Sequence, residues 1–180
     1  MTDPFPPFRA TDPDVYKHFM GRWSARLAKP FREFAGIRPN DRFVGGGTGT
    51  LSLALAGGNS MGLVLDTGAV LHESISRLRD QIKARPIGWA DGQANLWHKT
   101  GMIDVIEVPI VLSFDYTDFQ DYWSSFSTGP PRIAQGLMAL PPELRSEIEK
   151  HVRAGYLAGL PDGSRSFAVI VRAVRGIVPQ

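Results

Sequence analysis

The clearest hydrophobic pattern lies in the last third of the chain. Residues 105–114 are rich in β-branched side chains and predict a strand, and residues 166–174 form a second apolar run that predicts another. We expect these strands to be adjacent and antiparallel. Pro109 cannot donate to a ladder, so the first strand is expected at a sheet edge or at a bulge. The continuous apolar middle of the second predicts burial on both faces.

Helical patterns separate these two strands. Thr117 and Gln120 have the spacing of a capping box, which predicts a helix from this point to Phe126. Apolar residues recur on one face of residues 143–156 and predict an amphipathic helix. Residues 161–164 are typical of a turn that leads into the last strand.

The N-terminal third also contains a helical stripe. Apolar residues recur there every fourth position, at Val15, Phe19, Trp23 and Leu27. Pro30 is expected to break or kink this helix, and Gly36 to end the helical stretch that follows.

A glycine-rich segment lies between a predicted strand and a predicted helix. Residues 42–44 predict the strand and residues 50–56 a compact helix, with Gly45, Gly47 and Gly49 between them. This order is typical of nucleotide-cofactor sites, because glycines permit close backbone approach and the helix start offers free N–H groups. A turn without any ligand explains the glycines about equally well.

Asp66 is a candidate for the ribose-binding acid of such a site. It follows an apolar run at 61–65 that predicts a strand, and it lies 19 residues after Gly47. An acidic residue about 20 residues after the glycine turn, at the end of the second strand, binds ribose hydroxyls in Rossmann-type sheets. Residues 71–83 and 93–100 predict two further helices.

Composition indicates one globular domain and excludes several function classes. The chain has 180 residues, 43% of them hydrophobic and 21% charged. A net charge of +2 is too balanced to indicate nucleic-acid binding, and the absence of cysteine excludes disulfides and thiol catalysis. With no signal peptide and no membrane-spanning apolar run, we expect a cytoplasmic protein.

The sequence indicates no metal site. Asp115, Asp118 and Asp121 recur every three residues, but they lack the glycine and closing glutamate of a calcium loop. Asp118 is better explained as a helix cap. The four histidines lie apart and form no ligand pair.

Several blocks of the chain resemble class I S-adenosylmethionine-dependent methyltransferases of the small-molecule, ubiquinone/menaquinone-biosynthesis type. Tyr16 with residues 20–24, then residues 36–42 and 45–51, resemble the start of these proteins. Residues 96–105, 119–126, 140–142 and 172–176 resemble their later parts. Together the blocks cover roughly two-thirds of the chain.

The resemblance implies methyl transfer from S-adenosylmethionine to a small-molecule acceptor, with no metal and no assigned catalytic residue. It implies that the cofactor is held by Gly45, Gly47, Thr48, Gly49 and Asp66, with Tyr16 and Trp23 covering the site. It also implies a substrate pocket roofed by Phe119, Tyr122 and Trp123, although aromatics at helical spacing are more often core.

Two departures from the family pattern affect this interpretation. Phe43 stands where the family has an acidic cofactor ligand. A βαβ unit takes about 30 residues, so a seven-stranded sheet needs on the order of 200 or more, and this chain cannot contain all seven strands. Residues 65–71 also resemble a late helix of the family, and on that alignment Asp66 is a helix surface residue.

We therefore expect an α/β fold with an incomplete Rossmann-like methyltransferase sheet and an antiparallel C-terminal strand pair. A single truncated domain, 1–180, would comprise an N-terminal helical arm (1–36), a glycine-rich cofactor half (37–66) and a C-terminal strand–helix–strand half (101–180). Two functions remain open. One is a small-molecule methyltransferase with weak or lost cofactor binding. The other is a non-enzymatic remnant that forms a homodimer or binds a protein partner.

Overall fold

The computed structural model describes residues 21–36, 52–54, 60–84, 89–127 and 131–179. Within these ranges the fold is mixed α/β. The elements in chain order are α1 (Arg22–Ala35), β1 (Ser52–Ala54), α2 (Ser60–Leu71), α3 (Glu73–Lys83), α4 (Gly92–Lys99), β2 (Ile103–Tyr116), α5 (Phe119–Ser127), α6 (Pro131–Met138), α7 (Pro142–Leu157) and β3 (Arg165–Ile177). The strand predicted at 42–44 and the stripe residues Val15 and Phe19 lie outside the described residues.

The described strands form one antiparallel sheet in the order β1-β3-β2. β2 and β3 pair from Ile103↔Ile177 to Tyr116↔Arg165, which confirms the predicted antiparallel pair. β2 is an edge strand of this sheet, and its register is irregular between Ile103 and Ile106. Pro109 therefore lies in an edge strand, as the missing N–H predicts.

β3 is buried mainly on one face. Val169, Val171 and Ala173 are buried, whereas the residues between them are half-buried. The prediction of burial on both faces is therefore wrong. An apolar run without alternation is compatible with two-sided burial, but here α4 covers only one end of the second face, beside Glu107 and Gly176.

The core lies between the sheet and the helices on its first face. Tyr122 of α5 is fully buried, and its ring lies 5.1 Å from those of Tyr116 and Tyr156 and 5.4 Å from that of Phe167. Ile148 and Val152 are also fully buried and confirm the amphipathic helix predicted over 143–156. Aromatic side chains from α5, α7, β2 and β3 thus build a single packed cluster.

α1 covers the same face beside β2. Trp23 and Leu27 are buried, and the Trp23 ring stacks on Phe114 at 4.0 Å. The helix runs through Pro30 without a break, so of the two predicted effects of this proline the break is wrong. The helix ends at Gly36, whose φ is +63°, as predicted. Burial of the tryptophan and leucine offsets the hydrogen bond that the proline removes.

A carboxylate from the sheet holds α4 in place. Glu107 of β2 accepts hydrogen bonds from the backbone N–H groups of Asp91, Gln93 and Ala94 at 2.9–3.1 Å. These are donors that the start of a helix leaves without an intrahelical partner. The helix predicted over 93–100 is confirmed, with its cap supplied from a strand rather than from the preceding loop.

The cap of α5 is displaced by one residue from the predicted box. Asp118 Oδ1 accepts from the N–H of Asp121, and Asp121 Oδ2 accepts from the N–H of Thr117. The helix itself is confirmed and extends to Ser127. An aspartate caps at least as well as a threonine, so the neighbouring carboxylate takes the role.

Two predictions in the middle of the chain are wrong. Residues 52–54 form strand β1, paired through Leu53↔Val171, instead of the helix predicted over 50–56. Residues 61–65 lie in helix α2 instead of a strand, with Val64 and Leu65 buried. Short apolar runs fit either structure, and pairing with β3 satisfies backbone groups that would otherwise form a sheet edge.

Candidate functional site

The predicted cofactor turn lies outside the described residues. This holds for Gly45, Gly47, Thr48 and Gly49, and also for Tyr16. Of the residues that follow the turn, 52–54 are described, and they form β1 rather than a helix. A helix beginning at residue 50 would have supplied the free N–H groups and the positive dipole end for an anionic or polar ligand. That helix is not formed.

Asp66 lies on the surface of a helix. Its carboxylate belongs to α2 and accepts a hydrogen bond from Lys83 Nζ of α3 at 3.0 Å, with Arg79 Nη1 at 4.0 Å. The expectation that Asp66 ends a second strand is therefore wrong. The alternative position, on a helix surface, is confirmed. Two cations of the neighbouring helix already partner this carboxylate.

The three aromatic residues of the expected substrate pocket lie in the core. Phe119, Tyr122 and Trp123 are all buried, and their neighbours are Tyr156 and other aromatic rings. Burial raises the pKa of the Tyr122 hydroxyl well above its usual value, because the charged phenolate would lose its hydration there. The helical spacing of these aromatics therefore reflects packing in this structure. Trp23 is likewise a core residue.

The regularly spaced aspartates bind groups of the protein itself. Asp115 accepts from the hydroxyls of Ser113 and Ser166 and from Arg26 Nη1, and these bonds, in that order, hold the pKa of its carboxyl at about 2. Asp118 and Asp121 cap α5. Among the described residues no group of three or more histidine or acidic side chains is placed to hold a metal ion.

A surface that the sequence analysis did not single out lies on the second face of the sheet. Residues opposite each other in an antiparallel pair share a face, and alternate residues point the same way. On the face away from the core, this places exposed Pro109, Val111, Ser113 and Ala168 together with half-buried Ile170 and Arg172. We call these six residues the open face.

The open face is apolar in its middle and charged towards its ends. Val111 is 65% exposed and lies opposite Ile170. Arg172 lies beyond them towards α4, and its Nε is buried without a hydrogen-bond partner. Asp115 continues the face in the other direction, with 43% of its side chain exposed. The sequence carries no signal for this face, because residues 109–112 are all apolar and do not alternate with polar residues.

Comparison of the chain with protein-family models, with curated proteins and with solved structures finds no match. The resemblance to methyltransferases therefore rests on the residue blocks described above. No helix in the described part of the chain is both long and apolar enough to cross a membrane.

Proposed function

We propose that the chain is a remnant of a class I methyltransferase that has lost cofactor-dependent methyl transfer and acts as a self-associating, non-enzymatic binding protein. In this proposal its sheet is the incomplete end of a Rossmann-like sheet. The observation that carries the proposal is β1, which occupies residues 52–54 where a cofactor site of this family needs a helix.

The carboxylates support the same conclusion. Phe43 replaces one acidic ligand of the family pattern, and Asp66 is engaged by Lys83 on a helix surface. A hydrogen bond to a charged acceptor contributes about 1.5–3 kcal/mol. Losing one or two such bonds weakens cofactor affinity by roughly one to four powers of ten, because 1.4 kcal/mol corresponds to tenfold. A micromolar site would then fall towards millimolar.

Self-association is supported by the incomplete cover of the sheet. Rossmann-like sheets carry helices on both faces. Here α1, α5 and α7 pack on the core face. On the other face α4 packs at one end, against Glu107 and Gly176, while Val111 stays exposed. An exposed apolar surface rimmed by polar residues is typical of an interaction site. We propose that the chain associates through this surface into a homodimer, the simplest symmetric assembly.

Calorimetric titration with S-adenosylhomocysteine tests the loss of the cofactor site. We expect no saturable heat below about millimolar ligand for the wild type. Asp66→Ala should behave identically, and so should the control Asp80→Ala, which removes another carboxylate on the neighbouring helix α3. Micromolar binding by the wild type would contradict the proposal and restore methyl transfer to a small-molecule acceptor. If that binding is lost only in Asp66→Ala, the aspartate is the ribose acceptor.

A further inference from the structure

We infer that the open face of the sheet is an isologous dimer interface, in which Arg172 of one copy meets the Asp115 end of a second copy. This inference rests on the proposed self-association and specifies its surface. The occupant we commit to is a second copy of the chain, because the distribution of charge on the face is complementary to itself.

The first step concerns the β2 edge of the sheet, which is a poor candidate for association. Pro109 removes one donor from β2, and Arg26 of α1 donates to the carbonyl oxygen of Ser113 in the same strand at 2.6 Å. Such devices block the addition of another strand to an edge. Association through the face is therefore favoured over association through β2.

The second step concerns symmetry. A two-fold interface brings the same patch of both copies together, so each charged group must meet its complement under the rotation. Along the open face, the pairs run Pro109↔Arg172, Val111↔Ile170, Ser113↔Ala168 and Asp115↔Ser166. A two-fold axis that crosses the strands between the second and third pairs exchanges the first pair with the last.

This rotation places a cation against an anion at both ends of the interface. Arg172 of each copy faces the Asp115↔Ser166 pair of the other, and the apolar Val111 and Ile170 lie between the two contacts. Arg172 is half-buried, and Asp115 keeps 43% of its side chain exposed after pairing with Arg26. A carboxylate from the second copy would give the arginine an acceptor, as recognition by guanidinium favours.

The area of the open face limits the expected affinity of the dimer. Seven residues of strand span about 20 Å and three strands about 14 Å, so the contact is smaller than the ~800 Å² per partner of a stable interface. We therefore expect a weak, concentration-dependent dimer rather than a permanent one.

Sedimentation velocity over a concentration series, combined with cross-linking, tests the surface on the full chain. Val111→Glu should raise the dissociation constant at least about tenfold, because it buries two carboxylates near the axis. The matched control is Val70→Glu on α2, where the wild-type valine is 83% exposed and lies off the sheet. It should dimerise like the wild type. Arg172→Glu should weaken the dimer through charge repulsion with Asp115.

The absence of cysteine makes a second measurement straightforward. With sheets about 10 Å apart and an offset of two residues, the two Val111 Cα atoms lie about 12 Å apart. A short bismaleimide should therefore cross-link Val111→Cys into a covalent dimer much faster than Val70→Cys. Circular dichroism establishes that each variant keeps its fold.

The outcomes separate the surface from the proposed function. A wild type that stays monomeric at all concentrations overturns both. A wild-type dimer that persists in Val111→Glu, or that Val70→Glu disrupts equally, overturns the surface and leaves self-association standing. Equal cross-linking of the two cysteine variants also overturns the surface.

Discussion

The C-terminal strand pair and the middle of the chain differ in how closely local pattern and structure agree. β2 and β3 carry long β-branched runs, and both form where they are predicted. In the middle, a predicted helix becomes β1 and a predicted strand becomes α2. Long periodic segments determine their own conformation, whereas short apolar segments take the one that neighbouring backbone and helices impose.

The largest effect should come from the aromatic core of the C-terminal region. Tyr122 is fully buried among five aromatic rings. Tyr122→Ala should lower the free energy of unfolding by about 3–5 kcal/mol in urea titrations at one fixed protein concentration. The control is Leu160→Ala, at an exposed position. A loss below about 1 kcal/mol for Tyr122→Ala would mean that this cluster is not the core.

The close packing of α2 against α3 provides a test of whether residues 61–65 form a helix in solution. A Cβ at Gly68 would lie 2.8 Å from Ile75 Cδ1, so these helices approach closely only because the residue is glycine. Gly68→Val should cost about 1–3 kcal/mol of unfolding free energy. Gly163→Ala has open space around it and should change little. If residues 61–65 were a strand in solution, Gly68→Val would be tolerated and Ile75→Ala would not modify its effect.

The capping of α4 by Glu107 predicts a loss of unfolding free energy of intermediate size. Glu107 accepts three backbone N–H bonds at the start of α4, and Glu107→Ala leaves those donors without the carboxylate. We expect a loss of about 1–2 kcal/mol, with a smaller loss for Glu107→Gln. The exposed Glu147 of α7 provides the control substitution. Equal stability of Glu107→Ala and Glu147→Ala would contradict the cap.

The ion pair between Arg26 of α1 and Asp115 of β2 predicts that the unfolding free energy depends on pH. The pKa of Asp115 is about 2 in the fold, below its ordinary 3.8, so the folded state favours the carboxylate. Its contribution is complete above about pH 4 and is lost as the pH falls towards 2. Because the pair is exposed, we expect no more than about 1 kcal/mol. Asp115→Asn should reduce the fall in unfolding free energy between about pH 4 and pH 2, whereas Asp104→Asn should leave that fall unchanged.

The smallest effect should be that of Asp66. Its bonds to Lys83 and Arg79 are exposed ion pairs, so Asp66→Ala should change the unfolding free energy by less than about 1 kcal/mol. Thermal unfolding with and without S-adenosylhomocysteine should give the same shift for wild type and variant. A ligand-induced stabilisation that only the wild type shows would return this residue to a cofactor site.

Much of the fold could be predicted from the sequence, and the reason lies in particular residues. The stripe of Ile148 and Val152, the missing donor of Pro109 and the αL end at Gly36 act locally, so their structural consequences follow from the residues themselves. β1 could not be predicted, because its pairing depends on Val171, more than a hundred residues away. The exposure of Val111 could not be predicted either, since it depends on which face the helices cover.

The candidate site was harder to predict than the fold. Phe119, Tyr122 and Trp123 have the same spacing whether they line a pocket or a core, and only tertiary packing distinguishes the two. Asp66 fits two positions in the family pattern, and its ion pair with Lys83 across two helices distinguishes them. A resemblance between short blocks does not determine what their side chains contact, because that depends on the packing of the neighbouring residues.

One measurement tests the central claim most directly, namely that the segment after the glycine turn is a strand without a cofactor site. It is nuclear magnetic resonance of the labelled chain at residues 50–56, recorded before and after addition of S-adenosylhomocysteine. The account predicts extended-chain chemical shifts for residues 52–54, a cross-strand contact between the Hα atoms flanking the Leu53↔Val171 pair, and no saturable change with ligand. Helical shifts over 50–56 with saturable ligand-dependent changes would contradict it.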